Sequence, residues 1–124
     1  MIASFKLTFM FNVYILKIRL VGGQNPREGR VEVFHQGVWG TVCGDRWTLR
    51  ESVVVCRQLG LGYAKYAFTH DKFQPMPSGR VMLLSGVRCH MKEISLLDCR
   101  HIGWNNIKCS SRNNTAGVMC VEGM

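Results

Sequence analysis

No apolar run in this sequence is long enough to cross a bilayer as a helix, which takes about 20 residues. The longest, LTFMFNVYIL at residues 7–16, has ten, set between Lys6 and Lys17. That length suits a signal-peptide core, yet no small-x-small cleavage site follows it; the next small residues are Gly22 and Gly23. Residues 1–17 are therefore read as an apolar leader, either a signal peptide or a fragment from an incomplete gene model, and residues 1–16 stand outside the fold argument. Cysteine is absent from the first 42 residues, and no C-x-x-C occurs anywhere. Zinc ribbons and redox dithiols use that short spacing, so its absence argues against both. Also missing are G-x-S-x-G, H-E-x-x-H, a glycine-rich phosphate loop and a His-x-His-x-His copper cluster; His35, His70, His90 and His101 are widely separated. Cys99-Arg100-His101 offers a thiol beside an imidazole but no third group. No catalytic residues are assigned, and the chain is not expected to be an enzyme. Acid is scarce: 8 Asp plus Glu against 16 Lys plus Arg, for a net charge of +8. There is no internal repeat.

What is present is a chain of 124 residues, 47% apolar and 19% charged, consistent with one globular domain. Its six cysteines, Cys43, Cys56, Cys89, Cys99, Cys109 and Cys120, come at separations of 13, 33, 10, 10 and 11. An even count at wide spacing reads as three disulfides and an oxidising compartment. Spacing alone leaves 15 connectivities open.

Residues 18–23, IRLVGG, read as a strand. RVEVF at 30–34 alternates, with Val31 and Val33 on one face and Arg30, Glu32 and Phe34 on the other. His35-Gln36-Gly37 makes a turn into a partner strand, Val38 to Cys43. In that strand Trp39, Thr41 and Cys43 point one way, which puts Trp39 beside a disulfide. Thr48-Leu49-Arg50-Glu51 is a capping box, opening a helix from about Leu49 to Leu59 that Gly60 ends. Leu49, Val53, Cys56 and Leu59 form its expected inward stripe. Residues 69–79, with Pro75, Pro77 and Gly79, read as a loop. Residues 80–88 read as a strand interrupted at Ser85-Gly86, 93–98 as a helical turn, 103–115 as a loop and 116–121 as a closing strand.

IRLVGG, EGRVEVFHQGVWGTVCGDRW, VVVCRQLGLG, LSGVRCHMKEISLLDC and TAGVMC occur in that order between Ile18 and Val121. In this order and with this cysteine placement, the run 18–121 resembles a scavenger receptor cysteine-rich (SRCR) domain. Arg27 and Leu61 stand where the eight-cysteine group has its extra pair, so the resemblance is to the six-cysteine group. It implies an α+β fold: a curved antiparallel β-sheet of five to six strands cradling one α-helix. It also implies the pairing Cys43–Cys109, Cys56–Cys120 and Cys89–Cys99. More narrowly, RQLGLGYAKYAF, LSGVRC and SLLDCRH resemble SRCR repeats of lysyl oxidase-like proteins, which precede a copper amine oxidase domain.

The resemblance implies an extracellular ligand-recognition module, secreted or in the ectodomain of a membrane protein, within a larger multidomain protein. The alternative is an accessory, non-catalytic repeat of a lysyl oxidase-like enzyme whose oxidase domain is absent here. Polyanions and extracellular proteins are the expected partners, with no specific nucleic acid. Arg46, Arg80, Arg88, Arg100, Lys108 and Arg112 lie in loops or at strand ends; Arg80, Arg88, Arg100, Lys108 and Arg112 are the expected basic, ligand-binding cluster. Many SRCR domains bind Ca²⁺ through Cys-Asp-Asp and a late Glu. Here Gly44 replaces the first acid and Asn114-Thr115 stands at the late position. That leaves Asp45 as the residue of a residual Ca²⁺ site, and no cofactor is the expectation. Asp45 would then pair with Arg46 or Arg112, or cap the helix. Asn113-Asn114-Thr115 is a glycosylation sequon at Asn113. Trp39 and Trp47 are expected to pack against cystines, whereas Trp104 in GWNN is more open.

Overall fold

The β2–β3 hairpin seeds the sheet. Strand β2 (Glu28–His35) turns through Gln36 and Gly37, with φ of 50° and 82°, into β3 (Val38–Val42). Two consecutive positive φ angles make the tight two-residue hairpin turn whose twist matches the strands, and Gly37 takes its φ without steric cost. The remaining elements are β1 (Ile18–Gly22), α1 (Leu49–Gln58), β4 (Tyr63–Phe68), β5 (Val81–Leu84), a single 3₁₀ turn (Leu96–Asp98) and β6 (Gly117–Val121). The computed structural model describes residues 17–73 and 80–123. Residues 1–16 of the apolar leader (1–17) and the loop prolines Pro75 and Pro77, with Gly79, lie outside these.

Six strands form one sheet in the order β4-β6-β2-β3-β5, with β1 also paired to β2. The sheet is mixed: every pair is antiparallel except β3–β5, which is parallel. The sheet is thus antiparallel, as expected, in four of its five pairings, and β3–β5 is the exception. Between β3 and β5 the chain makes α1 and β4, and a crossover of that length can return a strand in the same direction. Strand β4, which no sequence pattern singled out, is an edge strand beside β6, with a register shift between Ala64 and Tyr66.

The capping box is formed. Thr48 N–H donates to Glu51 Oε1 (2.9 Å), and the Thr48 hydroxyl accepts from Arg50 N (3.2 Å). Such a cap stabilises by about 1 kcal/mol. At the other end Gly60 (φ 70°) donates to Arg57 O and Leu61 N to Cys56 O, a Schellman closure. The inward face differs from the expected stripe. Ser52, Val54, Val55 and Cys56 are buried, Val53 is half-buried and Leu49 is 48% exposed. The Cys56–Cys120 bridge to β6 sets the rotation of the helix, and Ser52 can be buried because its hydroxyl donates to Thr48 O (3.1 Å).

Cys43–Cys109, Cys56–Cys120 and Cys89–Cys99 are joined, and no cysteine is free. By loop-closure entropy the two bridges that span 66 and 64 residues stabilise by about 4 kcal/mol each, and the ten-residue one by about 3. The apolar core holds Val31, Val33, Val42, Val55, Leu84, Val118 and the Trp47 indole, whose N–H donates to Gly117 O (3.2 Å). Trp39 is outside this core. It packs on Phe34 (5.1 Å between ring centroids) with the Arg19 guanidinium 4.1 Å from its own centroid.

Strand β2 is buried on both faces. Val31 and Val33 enter the core, but Arg30 and Glu32, which alternation assigned to the opposite face, are 2% and 0% exposed. Arg19 covers Glu32 with two hydrogen bonds (3.0 and 2.8 Å). The Nε atoms of Arg30 and Arg80 lie 3.5 and 3.4 Å from Glu32 Oε2. A charge can be buried there because opposite charge surrounds it.

Candidate functional site

The chain leaves β3 through Gly44-Asp45-Arg46 into the helix. Trp47 N donates to Gly44 O (3.0 Å), and the buried indole of Trp47 pins this turn, so Arg46 projects outward and is exposed. Two residues into the helix domain, Arg50 sits exposed in the first turn beside the capping box. After β5 the chain reaches Arg88, which exchanges both backbone hydrogen bonds with Arg100 (2.8 and 3.0 Å), just outside the Cys89–Cys99 bridge. Residues directly opposite in an antiparallel pair project to the same side. Two exposed arginines therefore leave the backbone side by side.

Arg46, Arg50, Arg88 and His90 line an open groove of about 810 Å³, and Arg100 flanks it through Arg88. Among the described residues that line it, Glu51 is the only acid. Glu51 is 3% exposed and faces inward: one oxygen accepts from Thr48 N and Oγ1, the other from Cys89 N (2.9 Å). Its charge is thus held by the helix cap. Among the described residues no carboxylate forms an ion pair with Arg46, Arg50, Arg88 or Arg100.

The basic cluster read from the sequence is therefore divided. Arg88 lines the groove, and Arg100 lies opposite it across the backbone pair. Arg80 does neither: it is half-buried against Glu32, and its Nη1 donates to Trp39 O (3.2 Å). Lys108 and Arg112 are exposed on the loop that the Cys43–Cys109 bridge holds near Asp45. Arg50 and His90 were outside the cluster read from the sequence. The only local signal for Arg50 was its place between Thr48 and Glu51, where a capping box leaves the intervening side chains to solvent.

Asp45 pairs with neither Arg46 nor Arg112, and the helix cap is Thr48. Its oxygens accept from Ser110 Oγ (2.7 Å), Ser110 N (2.7 Å) and Asn114 Nδ2 (2.6 Å). The Ser110 hydroxyl and amide, with Asn114 and the His70 charge, hold its carboxyl below the ordinary carboxylate range. Asn113 is exposed, while its neighbours Asn114 and Thr115 are buried. Trp104 is stacked on His35 at 3.9 Å with 3° between the ring planes. Cys99 is bridged, so the Cys99–His101 pair carries no thiol.

Comparison with known proteins places these features. Residues 21–121 match the model of the scavenger receptor cysteine-rich domain. Lysyl oxidase homolog 2B of Danio rerio is 46% identical over 113 residues, covering 86% of this chain and 15% of that protein. Macrophage scavenger receptor types I and II of Bos taurus is 45% identical over 103 residues, covering 83% of this chain and 22% of that protein. The crystal structure of the third SRCR domain of murine neurotrypsin superposes with a TM-score of 0.68 at 41% identity, covering 86% of this chain and 97% of that one. The chain thus spans less than a quarter of the length of these two full-length relatives. It belongs to the scavenger receptor cysteine-rich family.

Proposed function

We propose that this domain is an extracellular recognition module, without catalysis of its own, that takes polyanionic ligands across the arginine groove. One observation carries the reading: Arg46, Arg50 and Arg88 converge on a single groove whose one acid is already engaged by backbone N–H groups. Such a groove has the charge of a sulfated glycan's complement, and its positive potential concentrates polyanions. Placing Arg88 directly opposite Arg100 disfavours the fold slightly, so that pair is better explained by a ligand than by stability.

Three fully formed disulfides support an oxidising compartment, and none of the described helices is long and apolar enough to span a membrane. In that compartment the exposed Asn113 is the acceptor of an N-linked glycan. Treatment with a glycosidase should then lower the mass of protein secreted from a eukaryotic host, and Asn113→Gln should abolish the difference.

The test of the ligand is a heparin column. Wild type should be retained at about 0.1 M salt and elute well before 1 M, as the Debye length falls from about 10 to 3 Å. The variant Arg46→Ser/Arg50→Ser/Arg88→Ser should flow through with an unchanged circular dichroism spectrum. Retention equal to wild type would refute the groove. Lys65 and Lys72, on β4 and beyond it, should matter little.

The resemblance to lysyl oxidase homologs favours a second setting, an accessory repeat that positions substrate for an oxidase elsewhere in a longer polypeptide. The transcript beyond Met124 decides between the two. A copper-ligating histidine cluster there would favour the enzyme, and further SRCR repeats or a membrane span a receptor.

A further inference from the structure

The turn at Asp45 is where the family resemblance would place a Ca²⁺ ion, and the donors present there do not suit one. Ca²⁺ takes six to eight oxygens at about 2.3–2.6 Å. Both oxygens of Asp45 already accept hydrogen bonds, Oδ1 from Asn114 Nδ2 (2.6 Å) and Ser110 Oγ (2.7 Å), Oδ2 from Ser110 N (2.7 Å). Asn114 turns its NH₂ end to the carboxylate and its carbonyl oxygen away, where Oδ1 accepts from His70 N (2.6 Å). The opposite orientation would set an oxygen against the carboxylate and an NH₂ against an N–H, so the network itself dictates the choice.

A second acid at the neighbouring position would have to displace the Asn114 side chain. A Cβ at Gly44 would lie 2.5 Å from Asn114 Oδ1. Among the described residues, the one group of three metal-ligating types that includes Asp45 is completed by Cys43 and Cys109, which are bonded to each other and offer no thiolate.

We infer that the Asn114 amide occupies the role of a cation, making this corner of the domain independent of Ca²⁺. A neutral donor suffices because only one carboxylate needs an electropositive partner. The buried amide (3% exposed) joins three segments that are distant in sequence: the β3–α1 turn at Asp45, the segment after β4 at His70, and the disulfide-anchored loop at Ser110. That loop carries Lys108 and Arg112, so its docking requires no metal.

Thermal unfolding of the wild type in EDTA and in millimolar Ca²⁺ is the decisive measurement. The midpoints should agree within about 1 °C, whereas a site filled at a hundred times its Kd would raise Tm by roughly 10 °C in a domain of this size. In Asn114→Ala, exchange of the His70 amide hydrogen should accelerate by at least about tenfold, because its side-chain acceptor is lost, and Ca²⁺ should not restore protection. A saturable Ca²⁺-dependent rise in the wild type, abolished by Asp45→Asn, would overturn the inference. So would unchanged exchange at His70 in Asn114→Ala. Should Asn114→Ala fail to fold, the wild-type measurement decides alone.

Discussion

Two buried glutamates organise the arginines of this domain differently. Glu32 lies under guanidiniums: Arg19 hydrogen-bonds to it, and Arg30 and Arg80 approach within 3.5 and 3.4 Å. Glu51 is buried to nearly the same degree, yet its oxygens face the N–H groups of Thr48 and Cys89. Arg46, Arg50 and Arg88 stand around it without an ion pair among the described residues. Arginines at Glu32 hold the fold together; those at Glu51 are left facing solvent. What separates the two sets is whether the local carboxylate is satisfied by backbone or by side chain. A carboxylate that fills a helix cap cannot also neutralise the cations above it.

Breaking the Glu32 side should produce the largest effect. Glu32→Gln leaves guanidiniums buried against a neutral amide, and removing one member of a buried pair costs about 3–5 kcal/mol. Urea unfolding should show that loss, or the secreted yield should collapse. A cost below about 1 kcal/mol would mean that water reaches this site.

Glu51→Ala should cost less, about 2 kcal/mol, because it removes one cap and one acceptor for a buried N–H. Its second effect sharpens the contrast. Deleting the one acid of the groove should strengthen heparin retention, so the variant elutes at higher salt even though it is less stable. An earlier elution would show that Glu51 positions the arginines in addition to capping the helix.

The smallest stability change belongs to Arg88→Ser. The side chain is exposed and faces Arg100, so stability should stay within about 0.5 kcal/mol of wild type or rise slightly. Arg80→Ser, by contrast, removes a partner of Glu32 and should cost more in unfolding while leaving heparin elution nearly unchanged. Reversal of that order would dissolve the distinction between the two sets.

Much of the local structure was legible in sequence. Thr48-x-x-Glu51 announced the helix start, Gly60 its end and Gly37 the hairpin, since each depends on neighbours within a few residues. Strand β4 was not. YAKYAF is built from alanine and lysine as much as from tyrosine, residues poor in strand propensity, and its register shift breaks the period-two pattern. The helix face was misread because a buried serine hides from a search for apolar residues. Alternation placed Glu32 on the right face but not in the interior, since period two says which residues share a face and nothing about whether that face meets water.

At the site, the acid at Asp45 and the basic excess were both visible, but not the partners of either. Asp45 is bound by Ser110 and Asn114, neither charged, from a loop that the disulfide draws in. Arg80 and Arg88 looked alike as cations near strand ends. One closes over Glu32 and the other opens onto the groove.

By itself the sequence determined the charge excess, the number of cysteines, the helix cap and the hairpin, together with the family these imply when their order is read. Those properties are additive or local, and each can be read without knowing where the chain goes next. Only the tertiary structure decided the parallel β3–β5 pair, which arginines are buried and which are left over, and that an asparagine amide rather than a second acid answers Asp45. Coulomb attraction and hydrogen bonding act over a few ångströms in space, and here they join residues as far apart in sequence as Asp45 and Asn114.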